Sequence, residues 1–277
     1  SGFLGATIAK QATKSGLSVA PVQKTITRQI DVRDIDSIEK IILQIKPDYV
    51  INSAAQTNVD VIETEPHHAY SVNAYGAKNI AQISKKYKIP LLHISTDGVF
   101  DGMKGMYVES DVPNPINEYA KSKLLGEKLV LQILEQVIIV RTNFYGYNER
   151  GSFFFNWLLK AFKEQKNITG FSDVVFSPLE ITNLSDMLLE IMTSKYNGII
   201  HLASDQILSK YDFAQKVANE FNFDRQRIIK GSVIDVPSVA KRPLNTSLDN
   251  SLSKKILKTK PISIENGLKL IKNTINF

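Results

Sequence analysis

The sequence predicts an α/β fold, a Rossmann-like doubly wound parallel sheet followed by a smaller α/β part. Three observations carry this. Apolar strand-like runs alternate with helix-period segments from the start to about residue 146, the rhythm of parallel strands joined by right-handed crossovers. Three of those runs end in Ser53-Ala54-Ala55, Ser95-Thr96-Asp97 and Thr142-Asn143-Phe144, and ligands of such sheets gather at the carboxyl ends of strands. After Gly146 the rhythm changes to shorter extended and helical pieces. The chain therefore divides into a dinucleotide-binding domain, residues 1–146, and a substrate-binding part, residues 147–277. No internal repeat or low-complexity linker separates them, so the two are expected to pack closely, with segments of the second returning to the first.

At 277 residues the chain can bury a sizeable core. With 43% hydrophobic and 22% charged residues it has an ordinary globular composition. The absence of cysteine excludes disulfides and thiolate chemistry. The four histidines, His67, His68, His93 and His201, show no metal-binding spacing, so no metal is expected. No apolar run approaches a membrane span and no signal peptide is visible, which points to a cytoplasmic protein with no membrane partner. The net charge of +6 is spread over scattered lysines and arginines, a solvated surface rather than a nucleic-acid footprint. A modest positive field also suits a phosphorylated small molecule.

The first helix opens on Gly2-Phe3-Leu4-Gly5, with Ile8, Ala12 and Leu17 facing inward and Gly16 as its stop. A glycine pair at a helix start lets a backbone approach pyrophosphate while the helix terminus supplies N–H donors. The hydrophobic strand and further glycine that usually precede such a pair are missing, so the native chain is expected to begin about ten residues earlier. Ser18–Val22 reads as a strand. Gln23, Lys24 and Arg28 follow where an acidic residue often holds ribose hydroxyls, a tilt towards a 2′-phosphate. Gln29–Asp34 reads as another short strand, with Asp34 the N-cap of a helix over Ile35–Gln44. Tyr49–Ala55 is a buried strand ending in small residues, against which a flat cofactor can lie. Pro66–Tyr87 is a long helix that carries Asn73 on its apolar side, where it must find a partner as a tether or as part of a proton relay.

Pro90–Phe100 supplies the next strand and the loop at its end. Gly105–Pro115 reads as a surface loop and candidate lid, Glu118–Leu134 as a helix, Val137–Arg141 as a strand, and Asn143–Gly146 as an aromatic loop. In the second part, Phe153–Leu159 is an aromatic-rich amphipathic helix that core packing explains best. Asp173–Ile181 is extended, Asn183–Thr193 helical, Gly198–Leu202 a strand, Lys210–Phe221 helical, 240–245 a loop, and Ile264–Ile271 the last helix.

Tyr119 and Lys123 stand four residues apart and share one helix face. They form the only Tyr-x-x-x-Lys among ten tyrosines, at the right distance behind the strand that ends in Thr96. A nearby ammonium favours the phenolate and is expected to lower the phenol from ~10. Such a tyrosine can donate a proton to a carbonyl oxygen as hydride reaches the carbon. Thr96 would hold the same oxygen and Lys123 the nicotinamide ribose, and the hydride must come from a cofactor.

The order Gly-x-x-Gly, Asp-x-x-Asp, Asn-x-Ala-Ala, Val-Asn-Ala, Ser-Thr-Asp-x-Val-Phe-Asp-Gly, Tyr-x-x-x-Lys and Arg-Thr-x-Phe resembles the extended short-chain dehydrogenase/reductase superfamily. Within it, Asn52–Asp60, Ser95–Gly102, Ala240–Pro243 and Ser247–Asp249 are similar to the dTDP-4-dehydrorhamnose reductase family. The resemblance implies reduction of a 4-keto sugar on a nucleotide carrier by NADP(H) or NAD(H), with the tilt above favouring NADP(H), and it admits a homodimer. By motif position it makes Thr96, Tyr119 and Lys123 catalytic. It assigns Gly2, Phe3, Leu4, Gly5, Asp31, Val32, Ala54, Ala55, Gln56, Asn73, Tyr119 and Lys123 to the cofactor, and Thr96, Asp97, Phe144 and Arg242 to the substrate. Gly98 stands where that family usually has Tyr, and Phe144 where Trp is common, so the particular sugar is left open. Two other readings stay open at this point. One is a non-catalytic NADP-binding subunit resembling the regulatory subunit of methionine adenosyltransferase. The other is a sugar-nucleotide epimerase or dehydratase, for which Asp97 beside Thr96 would be the acid–base carboxylate.

Overall fold

The computed structural model describes residues 2–21, 30–149 and 154–275. The chain opens on helix α1 (Phe3–Lys14), whose buried Leu4, Ile8 and Ala12 form its inner face. Leu17 lies beyond the helix end and is exposed, not inward-facing. Residues 18–21 form no strand, nor do residues 30–34. Among the described residues no strand lies beyond the free edge of the sheet, so these segments have no ladder to join. Val22, Gln23, Lys24, Arg28 and Gln29 lie outside the described residues. Asp34 caps α2 (Ile35–Ile45) by accepting from the N–H groups of Asp36 and Ser37.

Strand β1 (Val50–Asn52) follows, then the short α3 (Val59–Thr64), which periodicity did not reveal. The long helix anticipated over Pro66–Tyr87 is three consecutive helical segments: α4 (Pro66–Ala69), a π-helical stretch Tyr70–Gly76, and α5 (Ala77–Tyr87). Strand β2 (Leu91–Ile94), helix α6 (Glu118–Ile133) and strand β3 (Ile138–Thr142) complete the first part. The second part contains β4 (Phe144–Tyr145), α7 (Phe154–Lys163), β5 (Ile168–Phe171), β6 (Val175–Phe176), β7 (Leu179–Glu180), α8 (Ile181–Met192), β8 (Gly198–Leu202), β9 (Leu208–Ser209), α9 (Lys210–Glu220), β10 (Ile228–Gly231), α10 (Ser251–Ile256) and α11 (Ile264–Thr274).

The main sheet is parallel throughout, in the order β1-β2-β3-β8. Strand β8 joins it from the second part, and α8 packs on the same face as α1. Leu4, Ile8, Leu92, Val140, Leu184 and Leu188 fill that face, while Ile38, Ile80, Leu91 and Ile139 fill the other beneath α2, α5 and α6. A separate cluster around Phe155, Leu158, Phe213 and Leu268 forms the core of the remaining second part. Its two-stranded pairs are β4 with β7, β5 with β10 and β6 with β9. No helix among the described residues is long and apolar enough to cross a membrane.

Residues 105–115 do not form a free lid. Tyr107 is buried and stacks on Phe100 with ring centroids 4.1 Å apart. Its N–H donates to the Ser247 carbonyl and its own carbonyl accepts from the Asp249 N–H. The surface-loop reading holds further along, where Val112 is exposed, but two stacked rings and a short ladder to residues 247–249 pin the start of the segment.

Candidate active site

Strand β2 delivers Ser95, Thr96 and Asp97 to the carboxyl edge of the sheet, and all three are buried. The Thr96 hydroxyl caps a 3₁₀ turn by accepting from the Gly98 N–H at 3.1 Å, and donates to Asp97 Oδ1 at 3.1 Å. Asn117, the N-cap of α6, accepts from the Ala120 N–H. That cap starts the helix so that Tyr119 and Lys123 lie on its inner face, beside Thr96 and β2 respectively. Lys123 is buried and its Nζ donates to the Ile94 carbonyl at 2.6 Å, the last residue of β2. The three catalytic candidates thus meet at one strand end.

The electrostatics differ from the expectation. Burial pushes the Tyr119 phenol up to about 12, with the Thr96 hydroxyl pulling it down and the Asp97 charge pushing it further up. The neighbouring ammonium does not lower it, because Lys123 is turned onto the strand carbonyl and is itself hard to charge. Burial brings Lys123 down to about 8, with Glu127 acting against that. Tyr119 is therefore protonated at neutral pH, the form a proton donor needs, although burial makes it a weaker acid than a free tyrosine.

Under this site lies a buried ion pair that motif reading missed. Arg141 of β3 and Glu127 of α6 bond through Nη2–Oε2 at 2.7 Å, each about 2% exposed. Ser95 also donates to Glu127 Oε1, and the Arg141 guanidinium lies over the Phe100 ring. The signals were present in the sequence. Arg141 closes the apolar run Val137–Val140, and Glu127 follows Lys123 by one helical turn on the inward face.

The cofactor candidates fall along the same edge. Gly2 is the N-cap of α1, no side chain caps that terminus, and a Cβ on Gly2 would meet open space. Helix α1 thus starts with N–H donors and no acidic residue in its first turn. Leu4 is buried in the core, so only its backbone can serve a ligand. Asn52 Oδ1 accepts from the Ala54 N–H, which fixes the turn of small residues Ser53-Ala54-Ala55. Asn73 binds both the N–H and the carbonyl of Gln56, and donates to Ser122 Oγ. Its polar atoms are engaged with protein, so it acts as a tether that fixes Gln56 against α6. Val32 packs against Gly76, where a Cβ would sit 2.5 Å from Val32 Cγ2. Asp31 forms an ion pair with the Arg33 guanidinium. Lys123 matters most for fit. It is a buried ammonium whose acceptor among the described residues is a single carbonyl, which leaves donors for the hydroxyls of a ribose. These features fit a dinucleotide.

The substrate candidates are less uniform. Asp97 accepts from Thr96 on Oδ1, and from Thr246 at 2.7 Å and Asn143 at 2.9 Å on Oδ2. Burial raises its pKa, with Thr246, Asn143 and Lys210 opposing. Phe144 is half-buried with its ring 6.4 Å from that of Phe3, which sets it beside the start of α1. Arg242 pairs with Asp60 at 2.7 Å, while Asn117 donates to the neighbouring Lys241 carbonyl. Asn143 lies in the strand end Thr142-Asn143-Phe144 that the sequence brings to the site, though it was given no role of its own; Thr246 was not singled out, since nothing in its local pattern marks it.

The family model for the RmlD substrate binding domain matches residues 1–276. A dTDP-4-dehydrorhamnose reductase of Aggregatibacter actinomycetemcomitans is 32% identical over 259 residues, 88% of this chain and 87% of the relative. A probable low-salt glycan biosynthesis reductase of Haloferax volcanii is 30% identical over 90% of this chain and 87% of its own. Among solved structures, dTDP-4-dehydrorhamnose reductase of Bacillus anthracis in complex with NADP superposes with a TM-score of 0.91 at 28% identity, covering 98% of this chain and 95% of that one. A UDP-glucose 4-epimerase of Thermotoga maritima, 19% identical with a TM-score of 0.81, shares the fold alone. With a tyrosine, a threonine and a buried lysine at one strand end and a family match along nearly its whole length, the chain belongs to the RmlD substrate-binding-domain family of the extended short-chain dehydrogenases/reductases.

Proposed function

We propose that this chain reduces the 4-keto group of a nucleotide-linked deoxysugar, a dTDP-4-dehydrorhamnose reductase-like reaction, with NADPH preferred over NADH. The observation that supports this reading is the meeting of Thr96, Tyr119 and Lys123 at the end of β2. A bound reduced nicotinamide supplies the hydride. Tyr119 donates its proton to the carbonyl oxygen, and Thr96 holds that oxygen from the other side. Lys123 binds the nicotinamide ribose. The start of α1 with Gly2 and Gly5 takes the pyrophosphate, while Asp31, Val32, Ala54, Ala55 and Gln56 border the adenosine half. Phe144, Asp97 and Arg242 line the substrate end, directly or through their partners. The preference for NADPH draws on the sequence alone, where Gln23, Lys24 and Arg28, outside the described residues, stand at the point where an acidic residue often holds ribose hydroxyls. The setting we infer is the cytoplasm.

The test mixes the protein with NADPH or NADH and a panel of nucleotide-linked 4-keto sugars, and follows absorbance of the reduced cofactor. Oxidation of the cofactor that disappears in Tyr119→Phe is the expected result. Dinucleotide binding without turnover on any sugar overturns the reading in favour of a regulatory subunit. Isomerisation without net consumption of cofactor overturns it in favour of an epimerase.

A further inference from the structure

Histidine is an unusual residue for the middle of a parallel sheet. His93 of β2 is fully buried, with Asn52 of β1 beside it in one direction and Ile139 of β3 in the other. It shares a sheet face with Leu91, two residues before it, beneath α2, α5 and α6. Its Nε2 has no hydrogen-bond partner among the described residues, and a buried polar atom left so is costly. A leucine or valine would fill the position without that cost. What the imidazole offers in return is Nδ1, which lies 3.0 Å from Asn52 Nδ2. The direction of that bond follows from the next one. The Ala54 N–H can only donate, so the Asn52 side-chain atom it meets at 3.1 Å is the oxygen, Oδ1. The amide orientation is then fixed. Nδ2 faces His93 and donates, Nδ1 accepts, and the imidazole proton sits on Nε2. Burial holds the imidazole well below its ordinary value, with the Lys123 charge adding to it, so the ring is neutral. Turned over, the amide would set its NH2 group against the Ala54 N–H, donor against donor. The acceptor at His93 Nδ1 favours the orientation observed.

We propose that His93 is a positioning residue for the dinucleotide: as the Nε2-protonated tautomer it locks the Asn52 amide, and through that amide it fixes the turn Ser53-Ala54-Ala55 against which the dinucleotide lies. The inference rests on the assignment of that turn to the cofactor. Both hydrogen bonds of the relay are buried or part-buried and run from the sheet interior to its carboxyl edge. Without the acceptor, Asn52 keeps a buried NH2 group with nothing to receive it, and its hold on the Ala54 N–H competes with other rotamers.

The experiment uses the full chain, labelled with heavy nitrogen at its histidines. Long-range proton–nitrogen NMR correlations report which ring nitrogen carries the proton, and the His93 signals are those lost in His93→Leu or His93→Asn. A protonated Nε2 and a bare Nδ1 at neutral pH are expected; a proton on Nδ1 overturns the proposal whatever the variants do. Fluorescence titration with NADPH reads the consequence. His93→Leu is expected to weaken NADPH binding about tenfold, the scale of one buried hydrogen bond, with kcat at saturating NADPH within about twofold of the wild type. His93→Asn, whose Oδ1 stands where Nδ1 stood, should recover most of the affinity. In an Asn52→Ala background His93→Leu should change the affinity by less than about twofold. Equal losses in both backgrounds, or in the Leu and Asn variants alike, overturn the proposal, because His93 then only fills space. A fall in kcat with affinity unchanged also overturns it, because His93 would then act through Lys123, which bonds the next residue, Ile94. The expected affinities in a chain that reduces no sugar mean that the reductase reading has failed and the positioning role has not. A chain that reduces a sugar with one NADPH affinity in every variant means the reverse.

Discussion

A phenol that titrates near 12 keeps its proton at any pH a cell would offer. Tyr119 is thus set for donation, the direction a reductase needs, and Tyr119→Phe is expected to lower kcat by at least about a hundredfold. Dinucleotide binding, followed by fluorescence titration, should persist in that variant, since Lys123 and the α1 terminus are untouched. Lys123 gives a second prediction, in stability. Its folded value of about 8 lies below its ordinary 10.5. Between those values the unfolded chain binds the proton that the folded chain has shed, so stability rises with pH across that window. The unfolding free energy of the wild type relative to Lys123→Met should therefore be larger at pH 9.5 than at pH 7.5 in urea titrations. A flat difference would mean that the lysine is not desolvated. At this scale the sequence was readable wherever chemistry sits at short spacing. Tyr119 and Lys123 are one helical turn apart, and Thr96 ends a recognisable strand. Thr246 was not readable, because it meets Asp97 across more than a hundred residues of chain.

Two helices meet at Gly126 of α6, and the approach is closer than any side chain permits. A Cβ there would lie 2.4 Å from the Asn73 carbonyl oxygen, a backbone atom that cannot swing aside. Asn73 sits in the π-helical stretch, and the same residue secures Gln56 and Ser122. Gly126→Ala is expected to cost about 1–3 kcal/mol by overpacking, read as a lowered Tm, and to weaken dinucleotide binding by displacing Gln56. A loss of stability with unchanged binding would show that the tether does not reach the cofactor edge. Periodicity located this helix pair correctly but could not show that the first helix widens to π geometry between 70 and 76. The apolar spacing of Ala69, Asn73, Gly76 and Ile80 fits either winding, and the choice is made by packing against α6. The strands expected at 18–22 and 29–34, of which the described residues 18–21 and 30–34 form none, illustrate the converse. β-Branched, apolar residues make a strand only where a neighbour offers a ladder.

At the scale of the molecule, residues 240–249 run as a strap over the reactive loop. Ala240 and Arg242 bond Asp60, Lys241 bonds Asn117, Asn245 bonds Gly102, Thr246 bonds Asp97, and Ser247 and Asp249 bond Tyr107. Arg242 is part-exposed, so its ion pair with Asp60 is worth at most about 1 kcal/mol. Arg242→Ala should leave Tm nearly unchanged while raising the KM for the sugar nucleotide; a lowered Tm with normal kinetics would give Arg242 a purely structural role. Acid sensitivity also belongs to the whole fold. Burial brings His201 down to about 4 from 6.5, and Arg141 adds to it. The unfolded chain gains the proton first as pH falls through 6.5, so stability is lost progressively towards pH 4, by up to about 3 kcal/mol from this residue. Urea unfolding of His201→Gln should show a shallower loss across that interval than the wild type. The strap also carries a consequence for how the protein comes to life on the ribosome. The sheet that ends in Thr96 and the helix that bears Tyr119 are mostly synthesised by residue 142, but Asp97 waits for Thr246 and the side-chain amide N–H of Asn117 waits for the Lys241 carbonyl. A nascent chain can therefore hold a nearly finished scaffold with an unfinished centre. Reactivity is acquired only when the last segments emerge and close over the first.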